Sequence, residues 1–343
     1  MADAKPLSFL DLVARCDTFN IASDADEILL PLHLTSSPSS AKIGLLRPVI
    51  VELLRKENER ADAEAIWDFL DAPNRVSFAR RLNTPARRSA AMRELCERWR
   101  DDGAFPDVCG PRKWRGELYP VYADPFAAHD YPTPEQWDAP DAGVLNFAFD
   151  MERSACALFG IVTYGVHMSA FEEDANGTLR IWVPTRAKTK QTWPGYLDNT
   201  VAGGIPSGMS AWDSLVKECM EEASIDADVV SRHCRCTGAV SYFFRTPEGW
   251  LQPEVEYVYD LRIPTGADPN LFKPKPLDGE VESFEFLSQD EVVSKMRAGQ
   301  FKYNCATVLI DLLIRLGYIT PENEPHYLQL LTRLHRRFDI DKW

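Results

Sequence analysis

Glu218, Glu221 and Glu222 stand at i, i+3 and i+4 in a stretch whose apolar spacing reads as a helix. At about 100° per residue the three carboxylates fall on one face, one turn apart. Like charges at that spacing repel by roughly 0.2–0.5 kcal/mol per pair. They also crowd the C-terminal half of the helix, where the dipole disfavours anions. A divalent cation reverses both penalties, and oxygen-only ligands suit Mg²⁺ or Mn²⁺ better than zinc. A solvated acidic face has the same spacing, so the deciding feature lies upstream. Gly203-Gly204-Ile205-Pro206-Ser207-Gly208 precedes the helix. Glycine and proline make a tight loop there, and a loop without side chains lets backbone approach a phosphate. Carboxylates that hold a metal beside such a loop could bridge that metal to a diphosphate.

These residues resemble the Nudix box, GX5EX7REUXEEXGU, in which U is apolar. Anchored at Gly203, Lys217 stands at the box arginine and Glu218 follows it. Cys219 fills the apolar position, Glu221 and Glu222 close the core, and Ile225 is the last apolar residue. Met209 stands where the box has glutamate, and Ser224 where it has glycine. The resemblance continues outside the box, through Ile181 to Arg186, Trp193-Pro194-Gly195, Leu197-Asp198-Asn199, and Asp278-Gly279-Glu280-Val281-Glu282 followed by Phe284. These stretches resemble the Nudix subfamily related to the domain fused to thiamine pyrophosphokinase in fungi. Stand-alone members of that subfamily carry an uncharacterised N-terminal domain of about this length.

The resemblance implies a Nudix α/β/α sandwich with a mixed sheet. It implies a Mg²⁺-dependent pyrophosphohydrolase that converts thiamine diphosphate, above all its oxidised oxo forms, to the monophosphate and phosphate. Glu218, Glu221 and Glu222 would hold one to three ions, with Glu221 and Glu222 the most costly to lose. Glu280 is the first choice for general base and Glu282 the second, both flanking the Gly279 turn. Lys217 would orient the glutamates. Arg186, Lys188 and Lys190 are candidate phosphate clamps, because alternation in an extended segment would aim all three to one side. Gly203 and Gly204 would admit the phosphates, and Trp193 would line the substrate site. Trp114, Tyr242, Phe243 and Tyr257 are further aromatic candidates for a flat cationic ring. Glu254 and Glu256, two apart in a strand, could face the same pocket. His167 and His233 lack partners at a usable spacing and read as structural.

These residues need a scaffold. Strands are expected over Gly160–Met168, Leu179–Pro184, Ala239–Phe244 and Val255–Ile263, all rich in branched or aromatic residues. The box helix lies within Gly204–Ser224, and later helices cover Gln289–Ala298, Cys305–Leu316 and His326–Phe338. This mixture indicates an α/β or α+β sandwich. The N-terminal part reads as a smaller, mainly helical domain. Phe9, Leu10, Leu12, Val13 and Cys16 make one stripe, and Ile43–Leu54, Ala61–Leu70 and Ser89–Arg100 follow as helices, broken near Thr84-Pro85. Seven prolines between Pro106 and Pro140 mark a connector that includes an extended Leu118–Tyr122. The expected division is 1–140, N-terminal domain and connector; 141–320, Nudix domain; 321–343, helical extension.

The chain has 343 residues, 45% hydrophobic and 26% charged, as in a globular protein. Its net charge of −14 argues against nucleic-acid partners. No apolar run of membrane-spanning length occurs, and Asp3, Asp11, Asp17, Asp24, Asp26 and Glu27 argue against a leader peptide. A cytoplasmic protein with a small-molecule diphosphate substrate is therefore expected, its oligomeric state open. The eight scattered cysteines suit a reducing compartment, and Cys234-Arg235-Cys236 lacks a second pair at zinc spacing. No G-x-S-x-G or Walker loop is present. Three other functions remain open. One is a hydrolase of nucleoside diphosphate derivatives such as ADP-ribose or a dinucleotide. Another is an isopentenyl-diphosphate isomerase-like enzyme. The third is a non-catalytic binding module, to which Met209 would point.

Overall fold

The computed structural model describes residues 5–21, 27–60, 64–70, 74–140 and 145–343. Asp3, Asp24, Asp26 and the Ala61–Ala63 end of one expected helix lie outside them. The first half contains α1 (Phe9–Cys16), β1 (Leu30–His33), β2 (Lys42–Leu46), α2 (Pro48–Asn58), β3 (Trp67–Leu70), β4 (Arg75–Phe78) and α3 (Pro85–Asp101). After these come β5 (Leu118–Tyr122), α4 (Pro134–Trp137), β6 (Phe147–Glu152) and α5 (Cys156–Phe159).

The N-terminal region is helical, as expected, and it also carries a sheet in the order β2-β1-β4-β3. Two expected helices are changed by it. Lys42–Leu46 is a strand, because Gly44 packs flush against the Phe159 carbonyl and leaves no room for a Cβ, and the helix starts only at Pro48. Proline at the first helical position loses nothing, since its missing N–H would have had no partner. Trp67–Leu70 is the outer strand of a hairpin with β4, whose aromatic residues suit a pleated surface. Runs this short carry no period long enough to tell helix from strand. The expected break at Thr84-Pro85 is the start of α3: Thr84 accepts from the Arg87 N–H, and Pro85 opens the helix.

The second half contains β7 (Thr163–Glu173), β8 (Leu179–Arg186), β9 (Val201–Gly204), α6 (Ala211–Ala223), α7 (Ala227–His233), β10 (Cys234–Arg245) and β11 (Leu251–Arg262). It ends with α8 (Pro269–Phe272), β12 (Val281–Ser288), α9 (Gln289–Arg297), α10 (Tyr303–Arg315) and α11 (Tyr327–Leu334). The sheet runs β10-β11-β7-β8-β12, with β9 added to β7. It is mixed, because β11 and β7 are parallel and the other pairs antiparallel. One face buries Val166, Met168 and Val255 against Leu215 and Cys219 of α6 and Val230 of α7. The other buries Ile181, Val183, Val240 and Val258 against α10 and the α1 residues Phe9, Leu12 and Val13. This is the expected α/β/α sandwich, with one of its cover helices supplied by the N-terminus.

The two halves are stitched together. β5 pairs with β6 across the expected division at residue 140, and the Ser207 N–H donates to the Leu118 carbonyl at 2.8 Å. The loop that leads into α6 is thus held by the N-terminal half.

Candidate active site

Ser210 caps α6 by accepting from the Asp213 N–H at 3.0 Å, with Asp213 in the first turn where an anion suits the dipole. The helix ends at Ser224, which takes the left-handed conformation (φ 53°) in the place of the box glycine. Serine is strained there by about 1 kcal/mol relative to glycine. Its hydroxyl donates to the Lys275 carbonyl at 2.9 Å, which ties down the turn. The segment ahead of it, expected as a loop from Gly203, begins as a strand: residues 201–204 pair with β7.

The three glutamates differ sharply in environment. Glu222 is buried, with 6% of its surface exposed, and accepts from the Ala202 N–H at 3.1 Å. Burial, and then the nearby charge of Asp198, push its carboxyl up to about 8. Glu218 is mostly covered and also shifted upward, chiefly by burial. Glu221 is about half exposed and accepts from Lys217 Nζ at 2.7 Å, while Glu218 receives the same Nζ at 3.3 Å. Lys217 thus pairs with both of these glutamates. A buried carboxylate with one backbone donor, beside two further acids on one helix face, fits a hard divalent cation by charge and by donor type.

The glycines ahead of the helix are needed for close approach. A Cβ on Gly203 would overlap Cγ and Cδ of Glu218 and lie 2.7 Å from its Oε1. A Cβ on Gly204 would overlap the Tyr119 hydroxyl and stand 3.3 Å from the Arg153 guanidinium carbon. So Gly203 makes room for the Glu218 carboxylate, and Gly204 makes room for side chains of the N-terminal half.

The expected phosphate clamps divide. Arg186 is turned into the protein: it pairs with Asp198 at 2.5 Å and donates to the carbonyls of Trp193 (3.1 Å) and Thr192 (3.1 Å). β8 ends at Arg186, so no alternation carries Lys188 and Lys190 to the same side. Lys188 is 81% exposed and 3.9 Å from Glu282, and Lys190 is ion-paired with Glu280. Glu280 follows Gly279 (φ 82°) in a turn where its N–H donates to Asp278, and its charge reaches Glu218. Trp193 is packed edge-on against Tyr303, with ring centres 4.4 Å apart, and serves as a support for Arg186. Phe243 is core, Trp114 lies under Arg100, and Tyr257 receives or donates a bond at His129 Nδ1.

His167 does have partners, contrary to expectation. It is buried, 2.7 Å from Asn199 Oδ1 and 3.5 Å from Glu256. Tyr242 donates its hydroxyl to Glu256 at 2.8 Å and contacts Glu254 as well. Glu254 and Glu256 thus share one buried network, and Asn304 Nδ2 joins it through Tyr242 at 3.0 Å. Burial alone would raise Asp198, but Lys302 and Arg186 hold it down to about 2. His167, Asp198 and Cys305 bring ligand-type atoms within 4.8 Å of one another. Arg186 and Lys302 already balance that acid, and burial keeps the Cys305 thiol protonated, so the cluster is a hydrogen-bond network. None of these links has a local motif. They arise where α10 meets the sheet, and only the Asp198-Asn199 pair, within the Leu-Asp-Asn stretch, hinted at them.

A NUDIX domain model matches residues 163–306, and a domain of unknown function (DUF4743) matches residues 9–163. Nudix hydrolase 24, chloroplastic, of Arabidopsis thaliana is 32% identical over 293 residues, 85% of this chain and 70% of that protein. Nudix hydrolase 20, chloroplastic, of the same plant is 37% identical over 75% of this chain and 60% of its own length. The uncharacterised protein YJR142W of Saccharomyces cerevisiae is 43% identical over 67% of this chain and 63% of its own length. The chain thus spans 60–63% of two of these relatives. The chain belongs to the Nudix hydrolase family.

Proposed function

We propose that this Nudix chain hydrolyses a small organic diphosphate, and that its substrate is thiamine diphosphate or an oxidised form of it, cleaved to the monophosphate and phosphate. The observation that carries the reading is buried Glu222, set beside Glu218 and Glu221 and against the glycine strand. Glu218, Glu221 and Glu222 would hold Mg²⁺ or Mn²⁺, whose contribution when bound is neutralisation of the diphosphate and a more acidic water. Lys217 fixes Glu221 and Glu218 in place. Glu280, ion-paired with Lys190, is the candidate base, and Glu282 is the second candidate. The choice of thiamine diphosphate rests on the Trp-Pro-Gly and Asp-Gly-Glu stretches that flank the box.

Among the described residues no helix is long and apolar enough to cross a membrane. We propose a cytoplasmic location, although the two plant relatives are named chloroplastic. The test is phosphate release with Mg²⁺ from oxo-thiamine diphosphate, thiamine diphosphate, ADP-ribose and isopentenyl diphosphate. Fastest turnover of a thiamine form supports the reading. Preference for ADP-ribose moves the substrate class, and release from none of the four points to a binding module.

A further inference from the structure

We propose that Arg115 and Arg153, both from the N-terminal half of the chain, form the anion clamp that receives the diphosphate opposite the α6 carboxylates. The inference rests on the hydrolase reading above and deepens it, because it assigns the side chains that hold the phosphates.

Three observations carry it. First, Arg153 lies against the glycine strand, its guanidinium carbon 3.3 Å from where a Gly204 Cβ would be. It is positioned by Glu117 at 2.8 Å and by the Tyr119 ring, 4.9 Å below it. Second, donors are left over. Among the described residues the Arg153 side chain hydrogen-bonds only Glu117, through Nη1, and the Arg115 guanidinium has no hydrogen bond or ion pair. Third, the backbone holds the two arginines close: the Arg115 N–H donates to Glu152, next to Arg153, at 2.9 Å, and the Arg153 N–H donates to the Glu117 carbonyl at 2.9 Å. Desolvation and the charge of Arg153 weaken the protonation of Arg115, which also feels Glu280, and Glu280 in turn reaches Glu218.

Two like charges kept together with free donors are stabilised by an anion between them, and a guanidinium fork matches phosphate oxygens. The side chains expected to do this are otherwise engaged: Arg186 is buried on Asp198, and Lys190 is held by Glu280. The N-terminal half also holds the glycine loop itself. The Ser207 N–H donates to the Leu118 carbonyl at 2.8 Å, the Ser207 hydroxyl donates to Asp150, and the Tyr131 ring lies 3.6 Å from the Gly208 Cβ position. On this assignment the N-terminal domain is one wall of the active site.

The experiment measures binding of methylene diphosphonate in the presence of Ca²⁺ by calorimetry, on the full chain. Wild type, Arg115→Gln, Arg153→Gln and Arg153→Lys are compared, with Arg232→Gln as control, since Arg232 is 72% exposed on α7. Each Arg→Gln change at 115 and 153 is expected to weaken the diphosphonate about tenfold or more and to raise KM more than it lowers kcat. Ca²⁺ affinity measured without diphosphonate stays within about twofold, and Arg153→Lys recovers part of the loss. If Arg153→Gln does not fold, the exposed Arg115 decides the outcome alone. Unchanged diphosphonate affinity in Arg115→Gln, and in Arg153→Gln where it folds, overturns the clamp while an active wild type leaves the hydrolase reading standing. A wild type that neither binds the diphosphonate nor releases phosphate from any diphosphate overturns both.

Discussion

The Glu218 side chain occupies the space that a Cβ on Gly203 would need. A strand glycine and a helix glutamate are thereby locked into one contact, so that the Glu218 side chain lies against the strand backbone. Gly203→Ala tests this directly. The Gly203 backbone is not left-handed, and the Glu218 side chain can swing aside, so the fold should survive with a loss of about 1 kcal/mol. The displaced carboxylate should lower turnover by about tenfold or more and raise the Mg²⁺ needed for half-maximal rate. Near-normal kinetics in a folded Gly203→Ala protein would show that Glu218 is not a ligand.

Lys217 holds Glu221 at 2.7 Å and Glu218 at 3.3 Å from a half-exposed position. An exposed pair of this kind contributes about 0.5 kcal/mol or less to stability. Lys217→Met should therefore leave thermal unfolding almost unchanged and still slow turnover, with Lys217→Arg retaining most of it. A melting temperature that falls in step with activity would make Lys217 a structural residue only.

Met209 occupies the place of a box glutamate, half-buried where the loop enters α6. Restoring the acid in Met209→Glu should lower the half-maximal Mg²⁺ concentration by about tenfold, in the range typical of groups that support a metal site. A metal titration curve that does not move would mean that the position lies outside the ion's environment.

Asp198 supports stability in a pH-dependent way. Its folded-state pKa of about 2 lies below the ordinary 3.8, since Lys302 and Arg186 outweigh the effect of burial. A lowered acid stabilises the fold fully above its unfolded pKa and loses that contribution as pH falls through the folded one. Asp198→Asn should cost about 3 kcal/mol near neutral pH, because two buried cations lose their counter-charge. The gap between wild type and variant should narrow by about 2 kcal/mol as pH drops from about 5 toward 2. Urea unfolding at several pH values measures it, and a gap that is constant with pH contradicts the assignment.

The site was legible to different depths in the sequence. Glu218, Glu221, Glu222 and Lys217 lie on one helix, where spacing alone fixes which side chains meet, and the structure brings them together. Four strands of the mixed sheet, β7, β8, β10 and β11, were legible as branched and aromatic runs, whereas β9 and β12 were not expected as strands. The short strands Lys42–Leu46 and Trp67–Leu70 were not, because four or five residues cannot show a period. Arg186 read as a clamp, since alternation with Lys188 and Lys190 in an extended segment would aim all three to one side, yet its partner Asp198 comes from 12 residues further on and takes it inward. Arg115 and Arg153 carried no local signal at all. The approach of Arg153 to Gly204 depends on β5 and β6 pairing across the proline-rich connector, a non-local event.

The most direct test of the central claim is Mg²⁺-dependent phosphate release from oxo-thiamine diphosphate by wild type and Glu222→Gln, each checked for folding by thermal melting. Glutamine keeps the shape and can still accept from the Ala202 N–H, but it cannot supply a charged ligand. The account predicts an active wild type and a variant at least as stable, with turnover lower by about a hundredfold, roughly 2.7 kcal/mol of barrier. A folded Glu222→Gln protein that turns over at the wild-type rate would contradict it.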